Sequence, residues 1–225
     1  KMFKSHHNLF ILEIDKKFKS AYIEKRKDLW AEPQIVIKIN APDLESFLQI
    51  FEENKHSSLE LYREIERMRI IKSYASKFRD INVVRELHKS FHLEMNVPKG
   101  YKTAVLEENF AWIRKETTTN SMNIIVYTSP YSDTNAFNTN KIFRGRNLLT
   151  KVKIPGPTAG SFQRIADDYI PVQSRRLNFN GHYATELRGL WDLKEDFMGG
   201  PFISYTFVDN NHNKVITIDG FMYAT

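Results

Sequence analysis

Hydrophobic and polar positions change period several times along the chain, and each change predicts an element. Residues 8–14, Asn-Leu-Phe-Ile-Leu-Glu-Ile, are a short apolar run between polar neighbours, the pattern of a buried strand. Residues 21–29 read as a short helix ending at Trp30. After Pro33 the chain alternates over 34–40, with Ile35, Ile37 and Ile39 on one face, which predicts a second strand. Leu44, Phe47, Leu48 and Phe51 then follow helical spacing, with Asn40 as cap and Asp43 three residues on, and predict a helix over 42–54. Ser57 with Glu60 is a capping-box pattern. The stripe Leu61, Ile65, Met68, Ala75, Phe78 carries a helix over 58–79, and Ile81, Val84, Leu87 and Phe91 continue it after a kink.

The period next falls to two. Phe91, Leu93, Met95 and Val97 alternate with polar residues up to the turn Pro98-Lys99-Gly100 and predict a strand. Residues 101–106, 110–115 and 123–128 read as further strands, the last two paired through 117–121. A polar loop covers 129–140. A helix over 141–152 stops at Ile154-Pro155-Gly156-Pro157. The pattern assigns no element to 158–180. Strands return at 182–190, 202–208 and 214–220, the last two joined by a hairpin loop at 209–213. The expected fold is α+β: a mainly antiparallel sheet with helices 42–54, 58–79 and 141–152 packed on one face, in a single domain spanning 1–225. Two short echoes, His7-Asn8-Leu9 with Arg146-Asn147-Leu148 and Leu29-Trp30 with Leu190-Trp191, admit two related α/β halves, 1–90 and 91–225.

Composition narrows the chemistry. In 225 residues, 41% are hydrophobic and 13% aromatic, enough for a packed core and against disorder. The net charge of +6 is spread along the chain: Lys and Arg outnumber Asp and Glu by 18 to 14 in residues 1–90 and by 15 to 13 afterwards. The nearest approach to a basic stripe is Lys16, Lys17, Lys19, Lys25, Arg26 and Lys27, which reads as a solvated surface, so nucleic acid is not an expected partner. There is no cysteine, which excludes disulfides, thiolate catalysis and Cys-based metal sites within the chain. No apolar run approaches 18 residues, so no spanning helix is expected. Both ends read as cut from a longer protein.

The densest chemical patch lies at 186–201. It combines Glu186, Arg188, Trp191, Asp192, Glu195 and Asp196 with Gly199 and Gly200 ahead of Pro201. As a binding cleft, the Trp would stack on a ring, the Arg would pair with a carboxylate, and the glycines would admit a ligand close to the backbone. As plain structure, Gly199-Gly200 would make a turn with positive φ, Trp191 would sit in the core and Arg188 would pair with a neighbouring acid. Glu186, Asp192, Glu195 and Asp196 are also the acids a glycan or peptide hydrolase would need in pairs.

Other motifs point to no chemistry. His6 and His7 are neighbours that a strand would split between faces, and His88/His92 have helical spacing across the expected helix–strand junction. There is no His-Glu-x-x-His, Gly-x-Ser-x-Gly, Walker or dinucleotide-binding pattern. Neither a metal nor a cofactor is expected. Phe110, Trp112, Tyr127 and Tyr131 read as cross-strand packing rather than a base-stacking platform.

Taken as a set, Lys27-Asp28-Leu29-Trp30-Ala31-Glu32-Pro33-Gln34, Asn109-Phe110-Ala111-Trp112-Ile113-Arg114, Glu186-Leu187-Arg188-Gly189-Leu190-Trp191, Met198-Gly199-Gly200-Pro201-Phe202 and Gly220-Phe221-Met222-Tyr223-Ala224 carry a resemblance. They resemble a family of Bacteroidetes envelope lipoproteins, the domain of unknown function number forty-eight thirty-seven, over nearly the whole chain. The resemblance implies a cell-envelope location, periplasmic or anchored to the outer membrane through an N-terminal lipid that this chain lacks. It implies no catalytic residues. The expected function is therefore a non-enzymatic binding or structural role toward an envelope component or protein, with a hydrolase acting through the 186–196 acids as the alternative.

Overall fold

The computed structural model describes residues 2–76 and 78–224, in two compact units, one reaching Phe78 and the other starting at Arg79. In the first unit, β1 (Asn8–Ile14), β2 (Tyr22–Lys27) and β3 (Ile35–Ala41) form a sheet of order β1-β3-β2. The central β3 runs parallel to β1 and antiparallel to β2. It is buried at every position but Lys38, as a strand flanked on both edges in the middle of its sheet can be. The short helix expected over 21–29 is instead the strand β2. Its charged residues suit a helix by propensity. Pairing with the buried β3 overrides that preference, because each backbone N–H and C=O finds a partner there.

The two helices expected at 42–54 and 58–79 are one, α1 (Leu44–Ser76). No glycine or proline lies between residues 54 and 58 to break the helix. Ser57, expected to cap a new helix, turns its hydroxyl back onto the carbonyl of Asn54, a bond that a helix interior tolerates. α1 is described to Ser76, short of the expected end at 79: residue 77 lies outside the described residues, and Arg79 forms a bridge with Pro98. Asp43, not Asn40, caps α1, accepting from the backbone N–H of Ser46 at 2.8 Å. Asn40 belongs to β3 and donates to Glu24 at 3.0 Å. α1 covers one face of the sheet. Phe51 meets Phe10 edge to face, and Tyr62 donates to the Leu9 carbonyl at 2.6 Å; burial pushes that phenol up to about 12.

The second unit opens with α2 (Ile81–Phe91). Asp80 caps it through the N–H groups of Asn82 and Val83, and His92 ends it in the left-handed region, φ 54°. The strand expected over 91–97 is extended chain without a ladder. Leu93, Met95 and Val97 do enter the core, but among the described residues the bridge here pairs Arg79 with Pro98. Alternation there records burial on one side, not pairing.

After this come β4 (Lys102–Leu106), β5 (Phe110–Glu116), β6 (Asn120–Pro130), α3 (Thr139–Lys153), β7 (Phe162–Ile165), β8 (Gln173–Phe179), β9 (His182–Lys194), β10 (Gly199–Asp209) and β11 (Lys214–Ala224). The strands form one antiparallel sheet of order β4-β5-β6-β11-β10-β9-β7, with β8 also paired to β9. The segment 158–180, which carries no readable period, thus supplies two strands. Neither shows the alternation of a half-buried strand in its sequence: β7 alternates in burial over only four residues, with the polar Gln163 at one buried position, and β8 is largely exposed.

The fold is α+β with an antiparallel sheet as its main body, and side-chain parity fixes where its helices lie. Ala111, Ile113, Val126, Ala184, Phe207 and Ile216 pack with Val83, Leu87 and Phe91 of α2. The residues between them, Phe110, Ile125, Leu187, Trp191, Phe202 and Phe221, pack with Ile142 of α3. Successive strand residues face opposite ways, so α2 and α3 divide between the two faces rather than sharing one. The echo of Asn8-Leu9 in Asn147-Leu148 sets a strand start against the middle of a helix. Among the described residues no helix is long and apolar enough to cross a membrane.

Candidate functional site

β9 carries most of the predicted patch, and its alternation divides that patch. Glu186, Arg188 and Asp192 face the α2 side, Trp191 the α3 side. Trp191 is 4% exposed, meets Phe221 edge to face and donates its indole N–H to the Met222 carbonyl at 3.1 Å. It is core, not a stacking platform. Gly199 and Gly200 do not form a positive-φ turn. They begin β10, and the left-handed turn residue is Glu195, φ 64°. Gly200 is needed for close approach: a Cβ there would stand 2.1 Å from the Met222 carbonyl oxygen.

The acids are also dispersed. Asp192 is bonded by Arg164 at 2.9 and 3.0 Å. Asp196 accepts from the Thr158 hydroxyl and the Phe197 N–H, both at 2.7 Å, which holds its carboxyl below the usual range. Glu195 is exposed, 3.4 Å from Lys194. Neither Asp196 nor Glu186 holds a proton at neutral pH, so neither suits the general-acid role that paired-acid hydrolysis requires.

Glu186 is the buried exception, 2% exposed. Arg175 grips it from β8 (Nε at 2.7 Å, Nη2 at 3.1 Å) and Arg188 from β9 (2.7 and 3.2 Å). The cross-strand register Arg175–Glu186–Tyr205 adds the Tyr205 hydroxyl. Burial alone would raise the Glu186 pKa; the hydrogen bonds from Arg188, Arg175 and Tyr205 outweigh it and bring it to about 2. A folded value depressed from 4.5 contributes stability that is present above pH 4.5 and lost as pH falls from there toward 2. In urea titrations, the advantage of the wild type over Glu186→Gln should shrink across that window. A difference constant with pH would contradict this.

Two guanidinium charges on one carboxylate leave a local net charge of +1, and each arginine bonds that carboxylate through Nε and Nη2. Arg188 borders an apolar trough of about 510 Å³ on the same sheet face. Its floor is the row Ile124–Gly220–Ile203–Arg188, continuous across β6, β11, β10 and β9. Tyr101, Met122 and Met222 flank it. Gly220 deepens the floor, since a Cβ there would meet nothing closer than 3.9 Å. Of the predicted residues, Arg188 lines this trough and holds its partner Glu186 beside it. Gly220 and Tyr101 line it unforeseen, and Arg175 and Tyr205 join Glu186 unforeseen. Alternation within β9 and β10 could have paired Glu186 with Arg188 and Ile203 with Tyr205; nothing local could have brought in Arg175.

No group of three or more His, Asp or Glu suited to a metal occurs among the described residues. His7 bonds the Pro33 carbonyl. His92 stacks on His212 at 4.0 Å, and His212 pairs with Asp209. Phe110 is buried and Trp112 donates to Asn123 across the β5–β6 pair, as cross-strand packing requires.

Fold and site together define a class: an α+β protein whose larger unit is an antiparallel sheet, helix-covered on both faces, with an arginine-edged apolar trough. Residues 80–225 match the Domain of unknown function (DUF4837), and the chain belongs to that family. This is the family that the sequence motifs resemble, although its match begins at residue 80. Residues 1–75, with the Lys27–Gln34 motif, match a second, the Domain of unknown function (DUF8532). No curated protein matches the chain. Among solved structures, the chain is similar to a mutant of the protein Mog1, at 11% identity over 57% of this chain and 71% of that one, TM-score 0.34. It is equally similar to the Saccharomyces cerevisiae Ran-binding protein Mog1p, at 10% identity, 57% and 70% coverage, TM-score 0.34.

Proposed function

We propose that this chain is the ligand-binding part of a cell-envelope lipoprotein and that it works by binding an amphiphile with one acidic head and an apolar tail. The envelope location rests on the motif resemblance. The binding role rests on one observation: an apolar trough that ends on Arg188, whose charge Glu186 only partly neutralises. A mostly apolar cleft with a single oriented charge is the usual form of a small-ligand site, and 510 Å³ lies within the usual size. The floor consists of side chains on strands already paired to each other, so an extended peptide would find no backbone partners there. An apolar tail needs none, and a carboxylate or phosphate head matches the guanidinium fork.

Calorimetric titration with decanoate and with decanol tests this. The carboxylate should bind about tenfold tighter than the alcohol, and Arg188→Gln should remove that preference. Gly220→Leu, whose Cβ makes only ordinary contacts at 3.9 and 4.0 Å and whose side chain fills the floor, should abolish both. Equal binding of the two probes, or binding that survives Gly220→Leu, would refute the reading. Fractionation of the source cells should find the native protein with the envelope; recovery in the cytoplasm would refute that part alone.

A further inference from the structure

The first unit carries a separate cleft of about 700 Å³ on the sheet face that α1 leaves uncovered. Strand register builds it in rows. Leu9, Val36 and Arg26 lie side by side, then Ile11, Lys38 and Glu24. Leu9, Ile11 and Val36 make an apolar floor, with Trp30 and Phe3 as an aromatic wall. Trp30 is 40% exposed although its loop is firmly held. Gln34, itself 2% exposed, accepts from the Trp30 N–H at 3.0 Å and donates to the carbonyls of Lys4 and His6, both at 2.8 Å. Asp28 closes the loop base by accepting from the Gln34 N–H at 2.7 Å, while its own N–H donates to the Gln34 carbonyl at 2.9 Å. A fully bonded buried amide thus fixes a partly exposed indole, with Phe3 against its edge and the Lys4 ammonium over the ring.

The opposite side of the cleft is polar and internally balanced. Lys38 bonds Glu13 at 2.6 Å, and Arg26 bonds Glu24 through Nε at 3.0 Å. Lys17 also holds Glu13 and pairs with Asp15, so acids and bases balance on this side, and its rim offers alternating acceptors and donors; the Lys4 ammonium stands apart, over the Trp30 ring. That matches a ligand whose groups both donate and accept, as hydroxyls do. An aromatic wall suits a ring with one apolar face.

We propose that this cleft binds a neutral sugar ring, stacked on Trp30 and hydrogen-bonded by the Glu13–Lys38 and Glu24–Arg26 pairs. The site is independent of the trough in the second unit. The test uses the full chain and calorimetry with neutral pentasaccharides of glucose, mannose and galactose, each titrated separately, beside an acidic pentasaccharide of galacturonate. At least one neutral probe should bind and quench the indole fluorescence, Trp30 being the most exposed of the three tryptophans. Trp30→Ala should weaken binding about tenfold, with Trp30→Phe intermediate. Lys38→Met, distant from the Trp30 loop, should weaken it too while leaving the circular dichroism unchanged. If no neutral probe binds, if the acidic one binds as well, or if Trp30→Ala and Lys38→Met both bind as the wild type does, the proposal fails.

Discussion

Arg146→Met should be the most damaging single substitution in the chain, costing about 3–5 kcal/mol, because it strands a buried charge. Arg146 and Asp219 are both fully buried, one on α3 and the other on β11, joined by bonds of 2.7 and 3.3 Å. The guanidinium also lies 4.2 Å over the ring of Phe202. Burial pushes the Asp219 carboxyl up from its ordinary value even with Arg146 opposing that rise. Without Arg146 the carboxyl must stay charged in an apolar site or take up a proton. The cost should therefore shrink as pH falls, since an acid with a raised folded pKa destabilises only above its unfolded value. Removing both partners tells a different story. Arg146→Met with Asp219→Leu replaces an ion pair by apolar volume, which is often neutral or stabilising. Urea denaturation of the two singles and the double checks this. A double variant as unstable as the sum of the singles would show that the pair does not act as a unit.

Gly200→Ala should cost about 2–4 kcal/mol, from overpacking and a broken buried hydrogen bond together. The new methyl would stand 2.1 Å from the Met222 carbonyl oxygen and 3.3 Å from the Trp191 indole nitrogen, which are bonded to each other. It would wedge between donor and acceptor, and the obstacle is backbone, so β10 and β11 must part. Gly145→Ala is the control. It lies within α3 with nothing within 4 Å of its Cβ and should stabilise by about 0.5–1 kcal/mol, the gain of alanine over glycine in a helix. Equal unfolding midpoints for Gly200→Ala and wild type would remove the close-approach argument.

Both substitutions depend on contacts between segments far apart in sequence, and this separates what could be read locally from what could not. The strands at 34–40, 110–115, 202–208 and 214–220 were legible, the first as an apolar run buried at nearly every position and the others because a period of two marks the same face whatever strand lies alongside. The hairpin around Asp209–Asn213 and the stop of α3 at Pro155-Gly156-Pro157 were legible for a similar reason: turn and helix-stop chemistry is local. Even the division of the patch was implicit in β9, since Glu186 and Trp191 stand an odd number of residues apart.

The residues of the patch were therefore visible, but not their work. Arg175 reaches Glu186 from a strand without a readable pattern, and the glycines at 199 and 200 answer to β11, not to a turn. β2 became a strand because β3 was there to pair with it, and α1 ran through Ser57 because its hydroxyl found a carbonyl within the helix. Composition and periodicity determined by themselves that this is an α+β chain with a large antiparallel sheet. Which face each helix covers, which charges meet and where a trough or cleft opens were decided by the tertiary structure. Those features are set by the register between strands, a long-range quantity that no local window of sequence contains.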